Sequence, residues 1–221
     1  MKLPLRIQAA VEGAPCSLGW RVENKAEPRA ELYVYDAIGD WGKTAGDFVA
    51  ELRDLDGHDL DLHVNSEGGS VFDGLAMFAA LEAYEGDVRA LIDGVAASTA
   101  SFLVQAASSI LIGRHASMFI HNARVGLVIG ATSEDLRGLA DLLDDATLNI
   151  AEVYAERSGK PLQGWLDAMR AETSYRGQAA VDAGLADDVI AAPSRAENKA
   201  GTPTRAPELA AVAAYQKLRF I

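Results

Sequence analysis

Between residues 31 and 190, short apolar runs alternate with segments whose apolar positions recur every three or four residues. A period near two alternating with a period near 3.6 constrains the fold more than any other feature of the chain. Strands alternating with helices pack as an α/β domain around a mostly parallel sheet. The spacing predicts strands at 31–35 (Glu-Leu-Tyr-Val-Tyr), 60–64, 88–92, 109–112 and 117–120. Thr44, with Asp47 three residues on, has capping-box spacing before a helix carrying Phe48, Leu52 and Leu55. Phe72, Leu75, Phe78, Ala79 and Leu81 form the stripe of a second helix, and the small-residue-rich stretch 95–107 suits a buried third. A long helix follows Thr132, with Leu136, Leu139, Leu143, Ala146, Ile150 and Val153 as its apolar face. Gly159-Lys160-Pro161 stops it. Shorter helices fit 162–169 and 178–183. In such sheets ligands meet the carboxyl ends of the strands, which singles out the loops 65–70 and 93–99.

The 221 residues are 49% hydrophobic, enough for one sizeable core, or for one domain with an appendage. The net charge of −12 opposes binding to nucleic acid or an anionic membrane, since both need clustered positive charge. That charge is unevenly spread. Arg195, Lys199, Arg205, Lys217 and Arg219 face only Glu197 and Glu208 in residues 191–221. The other 15 basic and 30 acidic side chains lie in residues 1–190. The lone Cys16 excludes an intrachain disulfide and a cysteine–histidine zinc site. No metal and no cofactor is implied. The N-terminus lacks a signal-type apolar core, and the most apolar stretch, 91–103, is interrupted by Asp93, Gly94 and Ser98. A soluble cytoplasmic protein is expected. Residues 1–30, with three prolines and one possible strand at 4–7, form an N-terminal segment of uncertain role. Residues 191–221 read as a linker and a helix over 207–220 that would bury Leu209, Val212, Tyr215 and Leu218.

Three stretches carry the chemistry. In Gly94-Val-Ala-Ala-Ser98-Thr99-Ala-Ser-Phe-Leu103, a serine follows small residues at a strand-to-helix junction. A helix start leaves amide donors unpaired and favours negative charge, which suits an acyl-transfer nucleophile. Taken alone, a close helix contact explains the stretch better. In Asn65-Ser-Glu-Gly68-Gly69-Ser70, paired glycines let backbone amides approach a ligand, as in an oxyanion hole. Taken alone, an ordinary strand-to-helix turn is the better reading, and the phosphate-loop pattern is missing. In Met118-Phe-Ile-His121, a histidine closes an apolar strand, where a base for a serine would sit. A lone histidine in that setting is more often structural. His58, His63 and His115 have no comparable setting.

In order and spacing these stretches resemble the Clp proteolytic subunit family. Gly94–Leu103 resembles its nucleophile segment, Val64–Val71 its glycine-rich oxyanion segment, and Met118–His121 its histidine segment. Gln178–Asp187 resembles the segment after its catalytic aspartate. The resemblance covers about residues 31–190, read as a ClpP-like serine protease domain. Within the family, Leu32-Tyr-Val-Tyr-Asp-Ala-Ile-Gly-Asp-Trp41 is similar to phage-encoded head maturation (prohead) proteases.

The resemblance implies a ClpP/crotonase-like fold: a mostly parallel sheet with repeated ββα units and flanking helices. It implies Ser98 as nucleophile, His121 as general base and Glu172 as the third member, where the bacterial housekeeping enzyme has Asp. The oxyanion hole falls on the amide of Gly69 or Gly68 with that of Thr99. Glu67 stands in place of the usual proline, and Asn122-Ala123 in place of Gln-Pro. Val125, Gly126 and Leu127 open an apolar stretch, 125–130, where the family has its handle strand. It reads either as an edge pairing with substrate or another subunit, or as a covered hairpin.

The function expected is a serine endopeptidase processing phage capsid or scaffold proteins in a bacterial host cytoplasm. Its partners would be peptide or protein substrates and further copies in a ring, with no nucleic acid and no membrane. No loops for docking an unfoldase are recognisable in residues 1–30, which argues against a dedicated ATPase. Two alternatives remain: a catalytically idle structural subunit, and a crotonase-type acyl-CoA enzyme.

Overall fold

The computed structural model describes residues 22–23, 29–39, 42–126 and 128–190. The possible strand at 4–7, Asp40, Trp41, Leu127, and the linker and helix expected over 191–221 lie outside the described residues. Eight described strands form one sheet: β1 (Val22–Glu23), β2 (Ala30–Val34), β3 (Leu60–Ser66), β4 (Val88–Ala97), β5 (Ser109–Gly113), β6 (Ser117–Ile120), β7 (Thr173–Arg176) and β8 (Asp188–Ile190). The order is β1-β2-β3-β4-β5-β8, with β6 beside β4 and β7 beside β6. Only the β1–β2 and β6–β7 pairs are antiparallel.

The alternation in sequence becomes an alternation of faces. Leu32, Val34, Leu60, Leu62, Val64, Ala90, Ile92, Ile110 and Ile112 point inward and are fully buried. They share a core with Phe48 and Leu52 of helix α1 (Ala45–Asp54) and Met77 and Leu81 of α2 (Val71–Glu82). Burying each such Leu, Ile or Phe side chain contributes about 1.5–3 kcal/mol. The opposite face is polar and half-buried. There Tyr33 stacks on His63 with ring centroids 4.6 Å apart, and Asp61 receives Arg29 at 2.7 Å and Arg89 at 2.6 Å. Thr44 and Ser70 cap α1 and α2 by accepting the amides of Asp47 and Asp73.

The expected end of a strand at Asp93-Gly94 is corrected. β4 runs on to Ala97, so the helix expected over 95–107 contracts to α3 (Thr99–Leu103) followed by a 3₁₀ turn, Val104–Ala106. The reason lies in Asn65. Its Oδ1 accepts the Val95 amide at 3.1 Å, at an irregularity in the β3–β4 register between Val64 and Ser66. A Cβ on Gly94 would overlap that Oδ1. Gly94 therefore serves close approach rather than a turn. Beyond it, β4 leaves β5 and pairs with β6.

The long helix, α4 (Ser133–Ser158), carries the Thr132–Asp135 capping box and ends on left-handed Gly159. Its apolar face is only partly as expected. Burial is confined to Thr147, Ile150, Ala151 and Tyr154, while Leu136 is half exposed. The leucines of its N-terminal half satisfy the helical period but find no surface among the described residues to cover them. Stretch 125–130 is likewise not a covered hairpin: Ile129 is 84% exposed, and the described residues there join no strand. Helices α5 (Leu162–Arg170) and α6 (Gln178–Ala183) fall where the spacing put them. β7 and β8 were not expected from the sequence.

Candidate active site

Ser98 sits between the last residue of β4 and the first of α3, with φ 53° and ψ −125°. A side chain at that positive φ stores about 1–3 kcal/mol of backbone strain, held only where the surroundings over-determine it. Here they do. The Ser98 amide donates to Phe119 O at 2.8 Å. Its carbonyl accepts the Ser101 amide at 2.9 Å and the Ser101 hydroxyl at 2.5 Å. With that proton committed, Ser101 Oγ accepts from Tyr154 Oη at 2.7 Å. Burial pushes the Tyr154 phenol far above its ordinary pKa, so it remains a donor. α4 thus braces the elbow from behind. The Ser98 hydroxyl has no hydrogen-bond partner among the described residues.

The glycine pair lies against this elbow. A Cβ on Gly68 (φ 85°) would sit 2.5 Å from Ala97 O and 2.8 Å from both Ser98 Cβ and Thr99 N. A Cβ on Gly69 would overlap Ile38 O. The segment is pinned by Ile38 N–H to Gly68 O (3.0 Å) and Ser70 N–H to Ile38 O (2.8 Å). Gly69 O accepts the Thr99 hydroxyl at 2.9 Å. The Gly68 amide is engaged by Ser66 Oγ at 3.1 Å, and the Ser66 hydroxyl donates to Asp36 O at 2.7 Å. The amides of Gly69 and Thr99 have no acceptor among the described residues. Between the two glycines, the free donor beside Ser98 is therefore that of Gly69.

His121 and Glu172 emerge at the same level of the sheet, because β6 and β7 pair Ile120 with Thr173. His121 Nδ1 lies 2.6 Å from Asn122 O. A carbonyl can only accept, so Nδ1 carries the proton and Nε2 keeps its lone pair when the ring is neutral. Burial, followed by the Arg124 cation, lowers the His121 pKa below 6.5. The Asn122 carbonyl and Glu172 oppose this in part.

Glu172, also at positive φ (52°), does not reach the ring with a hydrogen bond. Its Oε1 instead lies 3.5 Å from Arg124 Nη1. Ser98 and His121 are likewise not hydrogen-bonded to each other, a common state of such pairs before substrate arrives. Asn122 Oδ1 is buried with no partner among the described residues.

Ser98, His121, Gly68, Gly69, Thr99, Val125 and Gly126 all line one groove of about 690 Å³, together with Glu67 and Arg124. Of the residues expected at the site, Glu172 is not on its wall and Leu127 lies outside the described residues. The groove offers an unbonded hydroxyl, a neutral imidazole and two free amides. Those are the parts for attack on a carbonyl and stabilisation of the resulting oxyanion. Among the described residues, no cluster of ligating side chains is arranged to hold a metal ion. No described helix is long and apolar enough to cross a membrane. Sequence reasoning passed over Arg124, Tyr154 and Ser66. Arg124 left a signal, a cation beside the apolar run at 125–130. Tyr154 and Ser66 left none, since only packing brings them to the elbow.

Comparison with known proteins identifies the family. A family model described as Clp protease matches residues 31–193. The ATP-dependent Clp protease proteolytic subunit 2 of Rhodococcus jostii (strain RHA1) is 31% identical over 149 residues, covering 65% of this chain and 72% of that protein. The corresponding subunit of Citrus sinensis is 36% identical over 132 residues, covering 58% and 66%. Subunit 1 of Prochlorococcus marinus subsp. pastoris is 32% identical over 156 residues, covering 66% and 77%. The family is one of serine-type peptidases that form oligomeric rings and act on protein substrates. A mixed α/β fold with a mostly parallel sheet, and a family match over most of its length, make this chain a member of the Clp protease family.

Proposed function

We propose that this chain is an active serine endopeptidase. The observation that carries the reading is the groove in which Ser98, at strained φ, stands beside two unpaired amides with a neutral His121 on the same wall. His121 Nε2 takes the Ser98 proton as Oγ attacks the peptide carbonyl. The amides of Gly69 and Thr99 hold the oxyanion. His121 then gives the proton to the leaving amine, and water, deprotonated by His121, releases the acyl group and restores Ser98. Glu172 stabilises the imidazolium by its charge once its carboxylate turns from Arg124 to the ring, while the Asn122 carbonyl on Nδ1–H holds the ring's orientation. Val125 and Gly126 bind the substrate backbone along the groove, with Leu127 next in the chain.

The substrates proposed are phage scaffold and capsid precursors, cut by a homo-oligomeric ring during head maturation. The segment Leu32–Trp41 and its likeness to prohead proteases support this. The relatives are named ATP-dependent. Cleavage by this chain is proposed to need no dedicated ATPase, so added ATP should leave the rate unchanged. The test is incubation with phage capsid and scaffold precursor proteins, with Ser98→Ala as control. Discrete cleavage that disappears in the variant supports the reading, and intact precursors with both proteins refute it. One observation favours a second reading, an idle assembly subunit: Glu172 is paired with Arg124 rather than with His121. Covalent labelling of Ser98 by a fluorophosphonate separates the two.

A further inference from the structure

Arg124 is the one side chain of fixed positive charge among the described residues lining the groove. It stands three residues after His121 and directly before Val125 and Gly126. A peptide crossing Ser98 along this wall passes it. Its side chain is 66% exposed, and its single ion pair among the described residues, with Glu172, is a long 3.5 Å contact that falls short of a hydrogen bond. Charge-assisted pairs with arginine normally close to 2.7–2.9 Å and often use two parallel N–H donors. A long, single-contact, exposed pair contributes little. Among the described residues the fork of Arg124 is therefore unfilled, and its geometry suits a planar carboxylate. The other ionised residue on the wall is Glu67, also exposed. In a chain of net charge −12, an acidic peptide gains from this groove only at the place where Arg124 can reach it.

We propose that Arg124 is a specificity-determining residue of the groove: it takes the carboxylate of a substrate Asp or Glu side chain in exchange for that of Glu172. The inference rests on the groove being a peptide site, as proposed above, and adds the class of side chain it selects. The exchange also frees the Glu172 carboxylate, whose backbone emerges beside that of His121.

The test uses the full chain carrying Ser98→Ala, so that bound peptides are not cut. Fluorescein-labelled peptides with a single Glu or Gln moved through each position are titrated and read by anisotropy at low and high salt. One position should favour Glu over Gln by on the order of tenfold, with the preference weakened by salt. Adding Arg124→Gln should abolish the preference, and Arg124→Glu should transfer it to Lys at the same position. Adding Glu172→Gln removes the internal competitor and should tighten the Glu peptide while leaving the Gln peptide unchanged. A merely structural Arg124 would produce neither the transfer nor the tightening.

Absence of Glu binding, absence of a Glu preference, or a preference that survives Arg124→Gln overturns the inference. Fluorophosphonate labelling of the unmodified chain is run beside it. Labelled Ser98 without a Glu preference leaves the peptidase reading standing and removes this one. Unlabelled Ser98 removes the peptidase reading, while the titrations still decide what Arg124 binds.

Discussion

Ser98 is the one place in the groove where the fold holds a side chain at a backbone conformation suited to glycine. Replacing it with Gly and with Ala separates strain from chemistry, because both variants lack the hydroxyl and neither can cleave itself. At φ 53° and ψ −125°, Ala keeps the strain of about 1–3 kcal/mol and Gly releases it. Gly gives back about 0.5–1 kcal/mol through its greater freedom in the unfolded chain. The backbone bonds to Phe119 and Ser101 survive in both. Ser98→Gly should therefore be more stable than Ser98→Ala by about 1 kcal/mol, the difference between the mid-range strain and the mid-range cost. At about 2–4 °C per kcal/mol for a chain of this size, thermal unfolding should shift upward by a few degrees. Urea and thermal unfolding by circular dichroism, at one fixed protomer concentration, read the difference. A Ser98→Gly protein no more stable than Ser98→Ala would refute strain at the elbow, and with it the argument that this serine is held in place for function.

Four further outcomes follow from the same geometry. Gly68→Ala places a methyl group 2.5 Å from Ala97 O and should displace the oxyanion segment from the elbow. Fluorophosphonate labelling of Ser98 should slow by on the order of 10²-fold, the cost of one lost oxyanion donor. Tyr154→Phe removes the donor to Ser101 Oγ and should cost about 0.5–1.5 kcal/mol in urea unfolding, with slower labelling as the elbow loosens. Because burial lowers the folded His121 pKa from its ordinary 6.5, the midpoint of the labelling profile should lie below pH 6.5, with labelling falling as pH is lowered through that window. In that window the unfolded chain binds more protons than the folded one, so stability also drops as pH is lowered through it. Arg124→Gln removes a lowering charge and should move the midpoint of the labelling profile upward.

Much of this was legible in the sequence where local rules and the fold agree. The apolar runs at 60–64 and 109–112 lie in strands because their alternate residues are the buried face of the sheet. Thr132 with Asp135 and Gly159 bound α4 because capping chemistry is local. The boundary at Asp93-Gly94 misled because a glycine pattern cannot distinguish a turn from close approach of Asn65. β7, Thr-Ser-Tyr-Arg, is a strand only because β6 lies beside it. The leucines in the N-terminal half of α4 have the right period but no covering partner among the described residues. At the site, the residues singled out through the family resemblance, Ser98, His121 and the glycine pair, line one groove. The engagement of the Gly68 amide by Ser66, and of Glu172 by Arg124, depends on which side chains meet in space, and no spacing encodes that.

The central claim is that Ser98 is an activated nucleophile. Reaction of the full chain with a fluorophosphonate, followed by peptide mapping, tests it most directly. The account predicts one label per chain, on Ser98. The label should be absent in Ser98→Ala, and formed at least about a thousandfold more slowly in His121→Ala. No label, a label on another serine, or a rate indifferent to His121 would contradict it.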